Sequence, residues 1–330
     1  MVSLTSIKAS NARLSTTVSN YTAVFVGGTS GIGKVTVQAL VASGTKCRVY
    51  IVGRPSSRDA TQQFINELQP TNPNAEIIWT EAEVSLLQDV KKACNLIRSQ
   101  ESSLDLLFMT CGYAPFGSRI ETTEGLEVTQ SLEYYSRILF TQHLLPLLSK
   151  SKAPRVVSVL AGGKEPASVP LDDLDLKQPA NFGGFKSQLH YTAMNTMTLE
   201  RLAEMWSDVS FVHSFPGWVM TGNHRRGADK ASLLNRAIWP LADPLIGLMS
   251  MSLEESGQRY LFVSTSAAFG GKGVPCEDAA CNTRKRPGPG LFLVGYKCDQ
   301  LDNDKAVSAL RESAQETIWE HTQRKLQPYL

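Results

Sequence analysis

The stretch Tyr21-Thr-Ala-Val-Phe-Val-Gly-Gly-Thr-Ser-Gly-Ile-Gly33 decides the fold. Its first six residues form a short apolar run that glycines close. Lys34 to Ala42 then has helical spacing and ends near Gly44. A second apolar run, Cys47 to Val52, is stopped by Gly53-Arg54-Pro55. Residues 22–54 therefore read as a βαβ unit with a glycine-rich first turn. Glycine there permits a tight turn and lets the backbone come close to a pyrophosphate. The helix start adds unpaired N–H groups and the positive end of its dipole. Gly27, Thr29, Ser30, Gly31, Ile32 and Gly33 are the expected cradle of a dinucleotide.

Outward from that unit, strand and helix signals alternate. Helices are expected at Asp59 to Leu68, Leu86 to Arg98, Leu126 to Leu148 and Thr192 to Trp206. Strands are expected at Ala75 to Thr80, Leu104 to Met109, Arg155 to Leu160 and Val209 to Ser214. The strands are apolar on both faces, so helices must cover the sheet on each side, and the strands run parallel. The fold class is α/β: a doubly wound Rossmann sheet with helices on both faces and a C-terminal extension. Residues 1–330 read as one domain. It has an N-terminal arm over 1–20, where Leu4, Ile7 and Leu14 share a helix face. Residues 222–290 read as an irregular insertion serving as substrate lid, and 291–330 as a last strand, Leu291 to Tyr296, and a helix at Asp304 to Lys325.

Bulk properties narrow the functional classes. The chain has 330 residues, 42% hydrophobic and 19% charged, so a large core needs neither disulfides nor metals. A net charge of +2 offers no field that would draw nucleic acid. The six cysteines, Cys47, Cys94, Cys111, Cys276, Cys281 and Cys298, form no C-x-x-C pair and have no histidine at zinc spacing, so no metal site is expected. A Cys276–Cys281 bridge is conceivable, but free thiols in a reducing, cytoplasmic setting are the preferred reading. No secretory signal and no membrane span is found; the most apolar stretch, Ala237 to Leu253, is interrupted by Asp243, Pro240 and Pro244.

The end of the second strand separates NAD from NADP. NAD binders of this design carry Asp or Glu there for the ribose hydroxyl. Val52-Gly53-Arg54 has no carboxylate, and the planar Arg54 guanidinium suits a 2′-phosphate. NADP(H) is therefore the expected cofactor; Lys34 and Arg58 are possible helpers or plain surface charges.

At this point the residues resemble a family. Gly27-Gly-Thr-Ser-Gly-Ile-Gly33 is similar to the T-G-x-x-x-G-x-G loop of short-chain dehydrogenase/reductases, with Val26 in place of threonine. Ser214-Phe-Pro216-Gly217-Trp-Val219-Met-Thr221 looks like that family's P-G-x-x-x-T segment. The resemblance covers about residues 20–222 and implies cofactor contacts from Pro216, Gly217, Val219 and Thr221. It also places Glu83 and Val84 near the adenine, and Cys111-Gly112 where N-N-A-G is usual. The tail, with Glu254-Glu255-Ser-Gly-Gln-Arg-Tyr-Leu261, resembles a fungal subgroup associated with secondary-metabolite genes.

The family's Ser-Tyr-Lys set does not appear. Ala161 stands at the serine position, with Ser158 inside the strand. Counting back from Leu202-Ala203 puts Gln188 at the tyrosine and Thr192 at the lysine position. Glu133 falls where the supporting asparagine is usual. Without the lysine nothing lowers a tyrosine from its ordinary ~10, so an already activated acceptor, an enone or an iminium, suits the cofactor better than a plain ketone. His190, Tyr191 and Glu133 are the candidate proton carriers. Each also has a plain structural reading: helix packing for His190, core aromatic for Tyr191, and a pair with Arg137 one turn on for Glu133. Ile238, Trp239, Leu241, Leu245, Ile246 and Met249 make the lid apolar, which fits a fairly large hydrophobic substrate or burial against the domain or a second subunit. Relatives often dimerise through the helices near 126–148 and 192–206, and the long tail is the other candidate to cover them.

The expectation is thus an NADPH-dependent oxidoreductase with a rebuilt active site. Its rivals are a non-redox cyclase or isomerase on the same scaffold and a non-catalytic nucleotide-binding protein.

Overall fold

In the computed structural model, residues 2–217, 219 and 251–330 are described. Thr221, residues 222–250 of the expected lid and all six of its apolar residues lie outside them. Seven strands form one parallel sheet: β1 Tyr21–Val26, β2 Cys47–Gly53, β3 Ala75–Glu81, β4 Leu106–Met109, β5 Arg155–Val159, β6 Ser210–Ser214 and β7 Leu291–Val294. Their order is β3-β2-β1-β4-β5-β6-β7. The chain leaves β1 toward one edge and β4 toward the other. The crevice at that switch lies at the carboxyl ends of the strands, where ligands of such sheets bind.

Alternation along the strands gives two cores. Val24, Tyr50, Leu107 and Val156 face one side, where α5 (Leu87–Gln100), α7 (Ser136–Leu148) and α8 (Gly184–Met205) pack. Phe25, Ile51, Phe108 and Val157 face the other, covered by α3 (Gly31–Ala42) and α4 (Arg58–Leu68). The 222–290 stretch, expected to be irregular, contains a regular helix, α9 (Leu253–Thr265), which completes this second layer. Gly257 lets α9 and α3 touch backbone to backbone: a Cβ there would stand 2.5 Å from the Val35 carbonyl oxygen. Buried Arg155 caps the far end of α9, donating to the Val263 and Ser266 carbonyls at 3.1 Å each.

Two other elements differ from expectation. The helix anticipated over 126–148 is a short α6 (Val128–Gln130), a wider π-turn over Ser131–Tyr135, and then α7. The terminal helix is two, α10 (Asp304–Ser313) and α11 (Gln315–Leu326), bent at Ala314. α11 lies on α8 and on the π-turn, where Thr322 bonds Tyr134 and His321 meets Tyr135 at 2.9 Å. The tail therefore covers part of the α7–α8 face. The N-terminal arm forms α1 (Leu4–Ala12) and α2 (Leu14–Thr17), and Asn11 of α1 donates to the Gln258 carbonyl on α9 at 2.8 Å. All six cysteines are free thiols, and no described helix is long and apolar enough to cross a membrane.

Candidate functional site

A cavity of about 960 Å³ runs along the carboxyl ends of the strands. Gly27, Thr29, Ser30, Gly31, Ile32, Arg54, Glu83 and Val84 line one end, and Cys111, Gly112, Pro216, Gly217 and Val219 line the middle and far parts. The first turn of α3 meets the cavity unencumbered. Ser30 makes no capping bond, and the first N–H with a helical acceptor is that of Lys34, 3.3 Å from the Ser30 carbonyl. Gly27 and Gly31 have φ of 94° and 55°, which glycine adopts without strain. Gly33 does not line the cavity. It sits behind the turn, where a Cβ would stand 2.5 Å from the Gly27 carbonyl oxygen. These free N–H groups at a bare helix start fit a pyrophosphate.

Arg54 lies exposed where β2 ends and makes no ion pair among the described residues. Its two expected helpers are engaged: Arg58 pairs with Glu81 at 2.7 Å, and the Lys34 ammonium sits 4.5 Å from the centre of the Phe64 ring. One oxygen of Glu83 already accepts the Ser85 hydroxyl at 2.8 Å.

At the other end the three proton-carrier candidates separate. Glu133, in the π-turn, lines the cavity and is itself buried. Gln188 donates to its carboxylate, and the Tyr113 N–H also bonds it. Burial pushes the Glu133 carboxyl up to about 8, against the nearby Arg137 charge and these two donors, which pull it down. Glu133 lies flat against the Cα of Gly112, whose φ is 143°; a Cβ on that residue would overlap the Glu133 side chain.

His190 and Tyr191 lie outside the cavity lining and are buried. His190 Nε2 is 3.0 Å from the Leu174 carbonyl, and burial lowers its pKa to about 4, so the ring is neutral. Tyr191 donates to Glu127 at 3.1 Å, and burial raises its hydroxyl well above the ordinary range. The reason is helical phase. At about 100° per residue, Phe185, Gln188, Leu189 and Thr192 share one face of α8, while 190 and 191 turn more than a quarter-circle away. The first three of these line the cavity.

The remaining pieces of the familiar set are rearranged. Ala161 lines the wall without a hydroxyl. Ser158 is committed to Arg137, which donates to its Oγ and to the Val159 carbonyl at 2.9 Å each, and to the Cys111 carbonyl at 2.5 Å. Thr192 bonds back to the Gln188 carbonyl at 2.8 Å. Asn195 ties the Glu133 and Tyr191 carbonyls together at 2.7 and 2.8 Å. Arg137, Lys164 and the aromatic wall of Tyr113, Phe116, Phe185 and Phe215 were not anticipated as lining. Gln188 was legible only as the occupant of a position, not as a partner for Glu133.

A family model described as short chain dehydrogenase matches residues 21–168. "Oxidoreductase AN1596" of Emericella nidulans is 39% identical over 98% of this chain and 97% of its own. "Short-chain dehydrogenase/reductase SAT2" of Stachybotrys chartarum is 32% identical over 99% and 97%. The chain belongs to the short-chain dehydrogenase/reductase family. Its fold is shared with the NADPH-bound carbonyl reductase from chicken fatty liver, at 16% identity and a TM-score of 0.54 over 86% of this chain and 99% of that one. An uncharacterised protein from Mycobacterium paratuberculosis gives a TM-score of 0.60 at 14% identity, covering 93% of both chains. Among its full-length relatives the chain thus sits with fungal oxidoreductases.

Proposed function

We propose that this chain is an NADPH-dependent reductase of a fairly large apolar small molecule, with Glu133 as the group that delivers the proton. The observation that carries the reading is a buried carboxyl on the cavity wall with its pKa up to about 8, bonded to the residue that occupies the tyrosine position. Near neutral pH such a carboxyl is largely protonated, as a general acid must be. The bound nicotinamide would supply hydride. Gln188 and the Tyr113 N–H fix the Glu133 carboxyl in place, and Gly112 leaves room for it. Arg54 would hold the 2′-phosphate, and the first turn of α3 the pyrophosphate. Phe116, Phe185, Leu189 and Phe215 give the substrate end an apolar wall, which favours a hydrophobic acceptor. An acid without the family's tyrosine and lysine suits an enone: its β-carbon would take the hydride, and the enolate so formed would take the Glu133 proton, whereas an iminium takes hydride with no proton donor. The fungal relatives favour a place in secondary metabolism.

The test is turnover of NADPH against a panel of enones. Glu133→Gln should lower kcat by roughly 10²–10⁴-fold and leave NADPH affinity in place. Wild-type kcat should fall as pH rises above about 8, where the acid is lost. Undiminished kcat in the variant would remove Glu133 from the chemistry. Product formed without NADPH consumption would turn the reading to an isomerase or cyclase using the same acid.

A further inference from the structure

Lys164 is a cation on the cavity wall whose role the reduction chemistry does not use. It follows Ala161 by three residues, a span of at most about 11 Å, on the loop that leaves β5. Among the described residues its side chain meets the Phe215 ring, 5.4 Å from ammonium to centroid, and has no carboxylate partner. The loop that carries it is rigidly held. The Lys164 N–H closes a turn onto the Ala161 carbonyl at 2.9 Å. Glu165, the next residue, is buried and accepts the Gly163 N–H at 2.9 Å, the Thr196 hydroxyl at 2.6 Å and the Asn303 amide at 2.7 Å. Gly163 is pinned against Leu301, where a Cβ would come within 2.6 Å.

The two carboxylates of the lining do not answer this charge. Glu83 stands at the adenosine end, bonded to Ser85, and Glu133 is tied to Gln188 and largely neutral at pH 7. Lys164 is exposed, so its ammonium beside the Phe215 ring is open to an anionic group of a ligand lying along the apolar wall. We propose that Lys164 is a specificity-determining residue that receives a carboxylate of the substrate, so that the enzyme takes apolar molecules bearing an acid group. The inference rests on the reductase reading for the identity of the site. It is tested by binding, so its failure and the failure of Glu133 as acid are separate results.

Calorimetry of the full-length protein with NADPH bound, titrated with benzoylpropionate and with its methyl ester, measures the preference for the acid. Wild type should favour the acid, Lys164→Arg should keep that preference, and Lys164→Met should reduce it about tenfold, the scale of one charge-assisted hydrogen bond. A separate NADPH titration of Lys164→Met distinguishes the source of the anion. An NADPH affinity that falls in step with the acid's assigns the lysine to the cofactor pyrophosphate and overturns the proposal. So does a wild type that binds the acid no better than the ester, saturation by neither included, or an acid preference that survives in Lys164→Met. In the last case benzoylacrylate turnover with intact NADPH consumption would leave the reductase reading standing alone.

Discussion

Replacing Glu133 by Gln should make the protein more stable, and increasingly so as pH rises. The carboxyl moves from an ordinary 4.5 to about 8 in the fold, chiefly because burial disfavours its charged form. The unfolded chain therefore releases this proton near 4.5, while the native protein holds it until about 8. A raised native pKa contributes stability that is complete below the unfolded value and lost as pH climbs through the native one. At about 1.4 kcal/mol per tenfold change in proton affinity, the loss by pH 8 is on the order of 4 kcal/mol, with most of it gone by pH 7. Glutamine has the same shape, keeps an acceptor oxygen for Gln188 and the Tyr113 N–H, and carries no charge to desolvate. Urea unfolding of both proteins at about pH 5 and about pH 8 gives the comparison. Every other titrating group is shared, so the change in their stability difference isolates Glu133. A gap between the two proteins that stays constant within about 1 kcal/mol across that range would refute the argument, because the carboxyl would then be titrating normally.

Two further outcomes follow from the site. Arg54→Asp should weaken NADPH at least tenfold and bring NADH to parity or better, since the carboxylate repels a 2′-phosphate and bonds a ribose hydroxyl; titration with both nucleotides reads this directly. Gly112→Ala meets a φ of 143° and the Glu133 side chain together, so it should cost about 1–3 kcal/mol in urea melts and depress kcat more than NADPH affinity.

The fold was legible because its signals are local and repeated. All seven expected strands recur within a residue or two of their anticipated bounds, and the Gly27–Gly33 turn announces the crevice. The elements that escaped are those whose reasons lie elsewhere in the molecule. α9 has a start signal in Ser252, whose hydroxyl accepts the Glu255 N–H at 3.1 Å, but Gly257 and four polar residues in its first half obscure it, and its seat on Val35 and Arg155 lies elsewhere in the chain. α8 starts at Gly184 with no capping side chain, so its first two turns carried no start signal. The π-turn at Ser131–Tyr135 leaves no mark in apolar spacing, yet it carries Glu133. In the site, position counting found Glu133, but His190 and Tyr191 were proposed from nearness in the chain. Their side of α8 is decided by which helix face meets Leu174 and Glu127, a matter of packing rather than of spacing.

The contact between Gly112 and Glu133 also constrains how such a site can arise. A side chain at 112 pushes the acid out of this position, whereas a glycine there is harmless beside a smaller side chain. The order of change is therefore one-way: the glycine must come first, and once the acid has been recruited the glycine can no longer be exchanged. A lineage that holds a bulkier residue at 112 is barred from this active site by a single step, however favourable the rest of its pocket.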